Sequence, residues 1–249
     1  MDDDGRGRLD HEVLIVGAGF GGMGAAIALK ELGIDSIAIL EREQDLGGTW
    51  HVNHYPGLAV DIASVTYSYS FEPNPHWSRI FAPGAELKQY ADHVADTYDL
   101  RRHMEFGVSV TSAEWDEQAR CWRVRTAAGA EHSARYLVTA TGFLSQPRTP
   151  DFPGMDDFAG KIIHTTAWED GYDFTGLRAA VVGTGATAVQ LIPEIARRAR
   201  ALTVFQRTPI WVVPKPDFPI PAPVQTLFAR VPLTQKAARL VSTSLLELL

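Results

Sequence analysis

A single cysteine, Cys121, occurs among 249 residues, which excludes an intrachain disulfide and a cysteine-based metal site. No metal-ligand spacing is read elsewhere, and no metal is assigned. Basic residues are outnumbered, 23 Lys and Arg against 30 Asp and Glu, for a formal net charge of -7. No basic face is expected, so nucleic acid is not a partner. No uninterrupted apolar run approaches the length that crosses a bilayer, and no membrane partner is expected. The opening residues, Met1-Asp2-Asp3-Asp4-Gly5, are acidic and lack the apolar core of a secretory signal or the basic character of a transit peptide. Low-complexity segments are absent. With 45% apolar residues, the expectation is a globular cytoplasmic protein of one large or two modest domains.

Two glycine-rich turns stand out, each between an apolar strand and a helix: Gly17-Ala18-Gly19-Phe20-Gly21-Gly22 and Gly183-Thr184-Gly185-Ala186-Thr187-Ala188. The first follows Val13-Leu14-Ile15-Val16, a pattern of a buried parallel strand. A helix is predicted over Met23–Leu32, closed by Gly33, and a second strand over Ser36–Leu40 delivers Glu41 at its end. In this arrangement Gly17 makes the tight turn, Gly19 lets the backbone approach a pyrophosphate, and Gly22 lets helix and strand pack closely. The helix N-terminus faces the phosphates, and the acid accepts from ribose hydroxyls. The second turn follows Arg178–Val182 and opens a helix predicted to run from Ala186 to Arg200. Its third position is Ala188, a tolerated variant. The next strand, Leu202–Phe205, ends in Gln206-Arg207-Thr208 and not in an acid. Arg207 cannot accept from a ribose 2'-hydroxyl but can pair with a 2'-phosphate, the alternative being a solvated loop cation. The first site therefore reads as FAD or NAD and the second as NADP. Two such sites in one chain suggest electron transfer between two dinucleotides.

Residues 1–10 read as a disordered tail, and 45–85 as a long irregular stretch rich in Gly, Pro, Asn and aromatics, a length that is usually functional. Leu87, Tyr90, Ala91, Val94, Ala95 and Tyr98 share one helical face. Strands over Gly107–Trp115, Cys121–Thr126 and Glu131–Thr139 read as a small antiparallel meander. Residues 143–157, with Pro147, Pro150 and Pro153, read as a linker. The expected divisions are 11–142 for the first nucleotide domain, 158–223 for an incomplete second one, and 224–249 for a helical segment ending in Leu245-Leu246-Glu247-Leu248-Leu249. The fold class is α/β, with two Rossmann-like dinucleotide-binding units and the meander.

Two further motifs are present. One is Phe158-Ala-Gly160-Lys-Ile-Ile-His164-Thr-Thr-Ala-Trp168, with the spacing F-x-G-x-x-x-H-x-x-x-W; the other is Gly47-Gly48-Thr49-Trp50, Tyr55-Pro56-Gly57 and Asp61. From Val13 to Pro223 the chain resembles the Baeyer–Villiger monooxygenases, the class B flavoprotein monooxygenases. It departs from them at Glu169, where the family usually has Pro or Asp, and in length, since family members are roughly twice as long and the carboxy-terminal half of the family fold is absent. The resemblance implies that FAD and NADPH are the cofactors and that NADPH and O2 serve, through a C4a-peroxyflavin, to convert a small-molecule ketone to an ester or lactone. It implies FAD contacts at Gly17, Gly19, Phe20, Gly22, Glu41, Gly48, Thr49, Trp50, Asp61, Tyr67 and Val110. NADP contacts are implied at Ala59, Val60, Asp61, Gly183, Thr184, Gly185, Ala186, Thr187, Ala188, Val189, Gln190, Arg207 and Thr208. Asp61 resembles the acid that positions a catalytic arginine lying in the family's other half. His164 and Trp168 resemble linker residues that couple the domains. The alternatives are a truncated, non-catalytic FAD- and NADP-binding remnant, or a related enzyme that oxygenates nitrogen or sulfur. Substrate identity and oligomeric state are left open.

Overall fold

Val13, Leu14 and Ile15 form the centre of a buried strand, β1 (His11–Val16), because a parallel strand covered on both faces needs side chains apolar in both directions. In the computed structural model, which describes residues 9–144 and 146–246, the chain divides into two compact units. The first comprises Met1–Val52 and Lys88–Arg148, the second Asn53–Leu87 and Thr149–Leu249. This partition differs from the sequential one expected: residues 53–87, placed above with the first nucleotide domain, cluster with the second.

In the first unit β1 leads through α1 (Phe20–Glu31) to β2 (Ile37–Glu41), which pairs in parallel with β1, Val13 opposite Ile37 and Val16 opposite Leu40. A short helix, α2 (Thr49–Val52), follows, and α3 (Gly84–Thr97) belongs to this unit from Lys88 onward. Then come β3 (Met104–Phe106), β4 (Val110–Asp116), β5 (Cys121–Thr126) and β6 (Glu131–Thr139). Together they make one six-stranded sheet ordered β3-β2-β1-β6-β5-β4. The meander expectation is corrected in one respect. β6 pairs antiparallel with β5 over its first half, then runs parallel to β1, Val13 opposite Tyr136 and Val16 opposite Thr139. It is thus both the end of the meander and a central strand. β3, absent from the expectations, pairs in parallel with β2, and Gly107–Ser109 precede β4 without joining it. Leu14 and Leu40 pack against Val124 and Ala134, which joins the parallel strands to the meander through one apolar cluster.

In the second unit β7 (Arg178–Val182) and β8 (Ala201–Phe205) form a two-stranded parallel sheet, Arg178 opposite Ala201 and Val182 opposite Phe205. α4 (Ala186–Ala196) connects them and ends earlier than the expected Arg200, turning through 197–200 into β8. Ala179, Val181 and Leu202 pack with Leu191 and Ile195 of α4 around Tyr55 and Trp168. Val182 (59% exposed) and Phe205 (55%) do not, so only one face of this sheet is covered. Helices α5 (Ala222–Arg230) and α6 (Pro232–Leu246) complete the unit.

Of the expected disordered tail, residues 1–8 lie outside the described residues, as do Glu247–Leu249 and the side chains of Leu245 and Leu246. Asp10 is ordered, its Oδ2 accepting from the Ser133 N–H at 2.8 Å and from the Ser133 hydroxyl at 2.7 Å. Among the described residues no helix is long and apolar enough to cross a membrane.

Candidate functional sites at the two glycine turns

The same backbone path occurs twice. Gly17 has φ +105° and Gly183 φ +108°, a region that glycine enters without steric cost. Gly19 and Gly185 cap the following helices with φ/ψ of -76/-176° and -68/-176°. Neither helix has a side chain bonded at its N-cap or an acid in its first turn. The leading N–H groups of both helices thus carry partial positive charge that no capping side chain answers, the chemistry of an anion site.

What a Cβ would meet separates the roles of these glycines. At Gly22 it would lie 1.9 Å from the Gly17 carbonyl oxygen, and at Gly17 it would lie 2.5 Å from that of Ala140. These two are demanded by the fold. At Gly19 it would meet Gly48 Cα at 3.6 Å, ordinary contact, and at Gly185 nothing within 4 Å. The protein itself does not require glycine at either N-cap. The open backbone there fits a pyrophosphate that must approach closely.

Around the first turn, Gly17 N–H donates to Leu40 O at 2.8 Å and Gly47 N–H to Ala18 O at 3.0 Å, bringing the 47–50 segment with Gly48, Thr49 and Trp50 to the glycine loop. Phe20 opens α1, with its ring 5.9 Å from that of Tyr90. Glu41 is 7% exposed; one carboxylate oxygen accepts from Ala18 N–H at 2.6 Å and the other from Glu43 N–H at 2.9 Å. It therefore braces the turn as well as ending β2. Lys88 ties the same loop to α3, with Nζ 2.9 Å from Asp45 and 2.7 Å from Asp92. Burial alone would raise Asp45, but the Lys88 ammonium and the Leu46 N–H overcome it and hold the carboxyl below its usual range. Val110 begins β4 with its side chain packed against the Leu14–Leu40 cluster. Asp61 and Tyr67 are carried by the second unit.

Around the second turn, Gly183 N–H donates to Phe205 O at 2.9 Å, and Gln206 Nε2 donates to Thr184 Oγ1 at 3.1 Å. Exposed Arg207 and Thr208 follow the end of β8, and Ala188 is buried in the first turn of α4. Gln190 has a role that its sequence position does not show. Its Nε2 donates to Ala59 O at 2.8 Å, and its Oε1 accepts from the Tyr55 hydroxyl at 3.0 Å and, more distantly, from Ala59 N–H at 3.4 Å. A Cβ on Gly57, φ +82°, would lie 2.6 Å from the Gln190 carbonyl oxygen. The Tyr55-Pro56-Gly57 motif is therefore a seat for α4, and Gln190 locks Ala59 beside it. Val60 N–H donates to Ala82 O at 3.0 Å and Lys215 Nζ to Val60 O at 3.1 Å, so exposed Asp61 ends a backbone segment held on both sides. Burial raises the Tyr55 phenol against a hydrogen bond from Thr187, with the Asp61 carboxylate adding to the rise; the phenol stays a neutral donor.

The linker motif lies in this unit too. His164 caps a short 3-10 turn, its Nδ1 2.8 Å from Thr166 Oγ1, and Trp168 is buried with Tyr55, Leu191 and Ile195. Glu169 pairs with Lys161 at 2.5 Å and Asp170 with His54 at 2.8 Å.

Two turns of matched geometry, each joining a parallel strand to a helix on an α/β unit, are of the dinucleotide-binding type. Residues 14–226 match the family described as pyridine nucleotide-disulphide oxidoreductase, and the chain belongs to that family. It is 44% identical over 227 residues to a Baeyer–Villiger monooxygenase of Streptomyces coelicolor, covering 91% of this chain and 44% of that protein. It is also similar to the structure described as oxidized steroid monooxygenase bound to NADP, at 42% identity and a TM-score of 0.82 over 88% of this chain and 42% of that one. A structure of OTEMO in complex with FAD and NADP superposes with a TM-score of 0.85 at 36% identity, over 91% and 44% of the two chains. The chain thus spans less than half the length of the relatives it matches.

Proposed function

We propose that this chain forms the nucleotide-binding part of a Baeyer–Villiger type flavoprotein monooxygenase, with FAD at the Gly17 turn and NADPH at the Gly183 turn. The repeated turn geometry, with both helix N-termini uncapped by side chains and both N-cap glycines sterically unnecessary, carries this proposal. The bound nucleotides supply hydride and oxygen-activating chemistry by which O2 converts a ketone to an ester or lactone. The chain's own part is to bind and orient them. The helix N-termini hold pyrophosphates, Glu41 offers its remaining lone pairs to ribose hydroxyls, and Arg207 with Thr208 takes the 2'-phosphate. Gly48, Thr49, Trp50, Tyr67 and the Val110 main chain serve FAD, and Ala59, Val60 and Gln190 fix the segment that presents Asp61. His164 and Trp168 act on linker position and not on proton transfer.

The test is the absorbance spectrum of the purified chain with FAD, followed by affinity measurements on Glu41→Ala. Bound flavin and a loss of about 1.5–3 kcal/mol in that variant are expected, since hydrogen bonds to a charged group have that size. Unchanged FAD affinity in Glu41→Ala refutes the ribose assignment. A second proposal is a nucleotide-binding piece without oxygenating activity by itself, favoured by the uncovered face of the β7–β8 sheet. Under it, the chain with NADPH, FAD, O2 and a ketone panel binds nucleotide but forms no ester; stoichiometric ester refutes it.

A further inference from the structure

Away from the Gly17 turn, at the opposite end of β1, an open cleft of about 520 Å3 in the first unit is lined by Leu9, Asp10, His11, Glu105, Glu131 and His132. One ligand-type atom from each of His11, Glu105 and His132 lies within 4.8 Å of the others. The three come from separate strands of one sheet: His11 opens β1, Glu105 is the middle residue of β3, and His132 is near the start of β6. The two imidazoles stack with centroids 6.1 Å apart and planes 27° from parallel. Both histidines are half-buried, and Glu105 is exposed.

We propose that His11, His132 and Glu105 form a binding site for a borderline divalent transition metal, zinc being the reference ion. Two neutral imidazoles and one carboxylate are a donor set suited to zinc, which takes nitrogen and oxygen at about 2.0–2.2 Å in a tetrahedron and completes it with water. Ligand atoms in such a tetrahedron lie about 3.4 Å apart, so side-chain rotations must close the present triangle by roughly 1.4 Å at its widest. The other two carboxylates of the cleft are engaged elsewhere. Asp10 accepts from Ser133, while Glu131 accepts from Arg123 at 3.0 Å and Arg125 at 3.1 Å. That leaves the triad as the cleft's convergent donors. Magnesium, which prefers an octahedron of oxygens, is excluded by the two nitrogens. A bound metal joins β1, β3 and β6 through side chains and adds to the Asp10–Ser133 bonds that already tie β1 to β6, so its consequence is stabilisation of the first unit. The spacing of the three residues along the sequence hides the site, because each ligand comes from a different strand.

The experiment uses the whole chain without a histidine tag, stripped with EDTA and titrated with zinc by calorimetry, with magnesium as the control. One saturable equivalent of zinc, no magnesium binding, and at least about tenfold weaker zinc binding in both His132→Ala and Glu105→Gln are expected. Absence of a saturable equivalent, or affinity unchanged in the variants, overturns the site. The wild-type chain supplies a measurement that does not depend on variant folding: zinc should shift the imidazole NMR signals of His11 and His132 among the eight histidines, and shifts in neither or in a different pair overturn it.

Discussion

Gln190 ties α4 to the Tyr55–Ala59 segment through side-chain bonds that a single substitution removes. Replacing it with Ala removes the 2.8 Å bond to Ala59 O and the 3.0 Å bond from the Tyr55 hydroxyl; the 3.4 Å contact with Ala59 N–H counts for little at that length. Two ordinary hydrogen bonds contribute about 2 kcal/mol net. The Tyr55 hydroxyl keeps Thr187 as a partner, so any added desolvation cost falls on Ala59 O alone. A loss of about 2–3 kcal/mol is therefore expected for Gln190→Ala, against about 1 kcal/mol for Tyr55→Phe. Urea unfolding followed by tryptophan fluorescence suits the measurement, since buried Trp168 shares a cluster with Tyr55 and Leu191. The double variant should lose less than the sum of the singles by about 1 kcal/mol, because both remove the same bond. NADPH affinity should fall with stability, since the segment through Ala59 to Asp61 loses its hold at Ala59 and keeps only those at Val60. A Gln190→Ala effect under about 0.5 kcal/mol, or strict additivity with Tyr55→Phe, refutes the lock.

Three further expectations follow from the same geometry. Gly19→Ala should leave the unfolding midpoint unchanged while lowering FAD affinity at least about tenfold, whereas Gly22→Ala, with its Cβ 1.9 Å from a carbonyl oxygen, should fail to give folded protein; equal effects of the two would refute the distinction. Arg207→Ala should remove most of a preference for NADPH over NADH, about 2 kcal/mol for a charge-assisted pair, and equal native affinity for both nucleotides refutes the assignment. Asp45 is held below its usual 3.8, so its contribution to stability is present above pH 3.8 and is lost as pH falls through the lower folded value. Asp45→Asn should flatten that part of the acid limb in a pH series of urea midpoints, while an unchanged limb would show that the Lys88 pairing contributes nothing.

The two nucleotide-type units were legible in the sequence because their determinants are local. A glycine at φ +105° or +108°, an apolar run before it and a helix after it are steric and periodic features within a few residues. The same locality gave the boundaries of β5 and β6. Pairing across long separations was not legible. β6 alternates in a way that suits a meander, and its second half becomes a central strand through long-range parallel pairing with β1, Val13 opposite Tyr136 and Val16 opposite Thr139. Glu41 was legible as an acid after a strand, but its bond to Ala18 N–H depends on how β2 and the glycine loop meet. The Gln190 lock, the clustering of 53–87 with the second unit, and the convergence of His11, Glu105 and His132 likewise belong to the tertiary structure. Each depends on side chains whose positions in the chain carry no shared period, so only the completed packing could bring them within reach of one another.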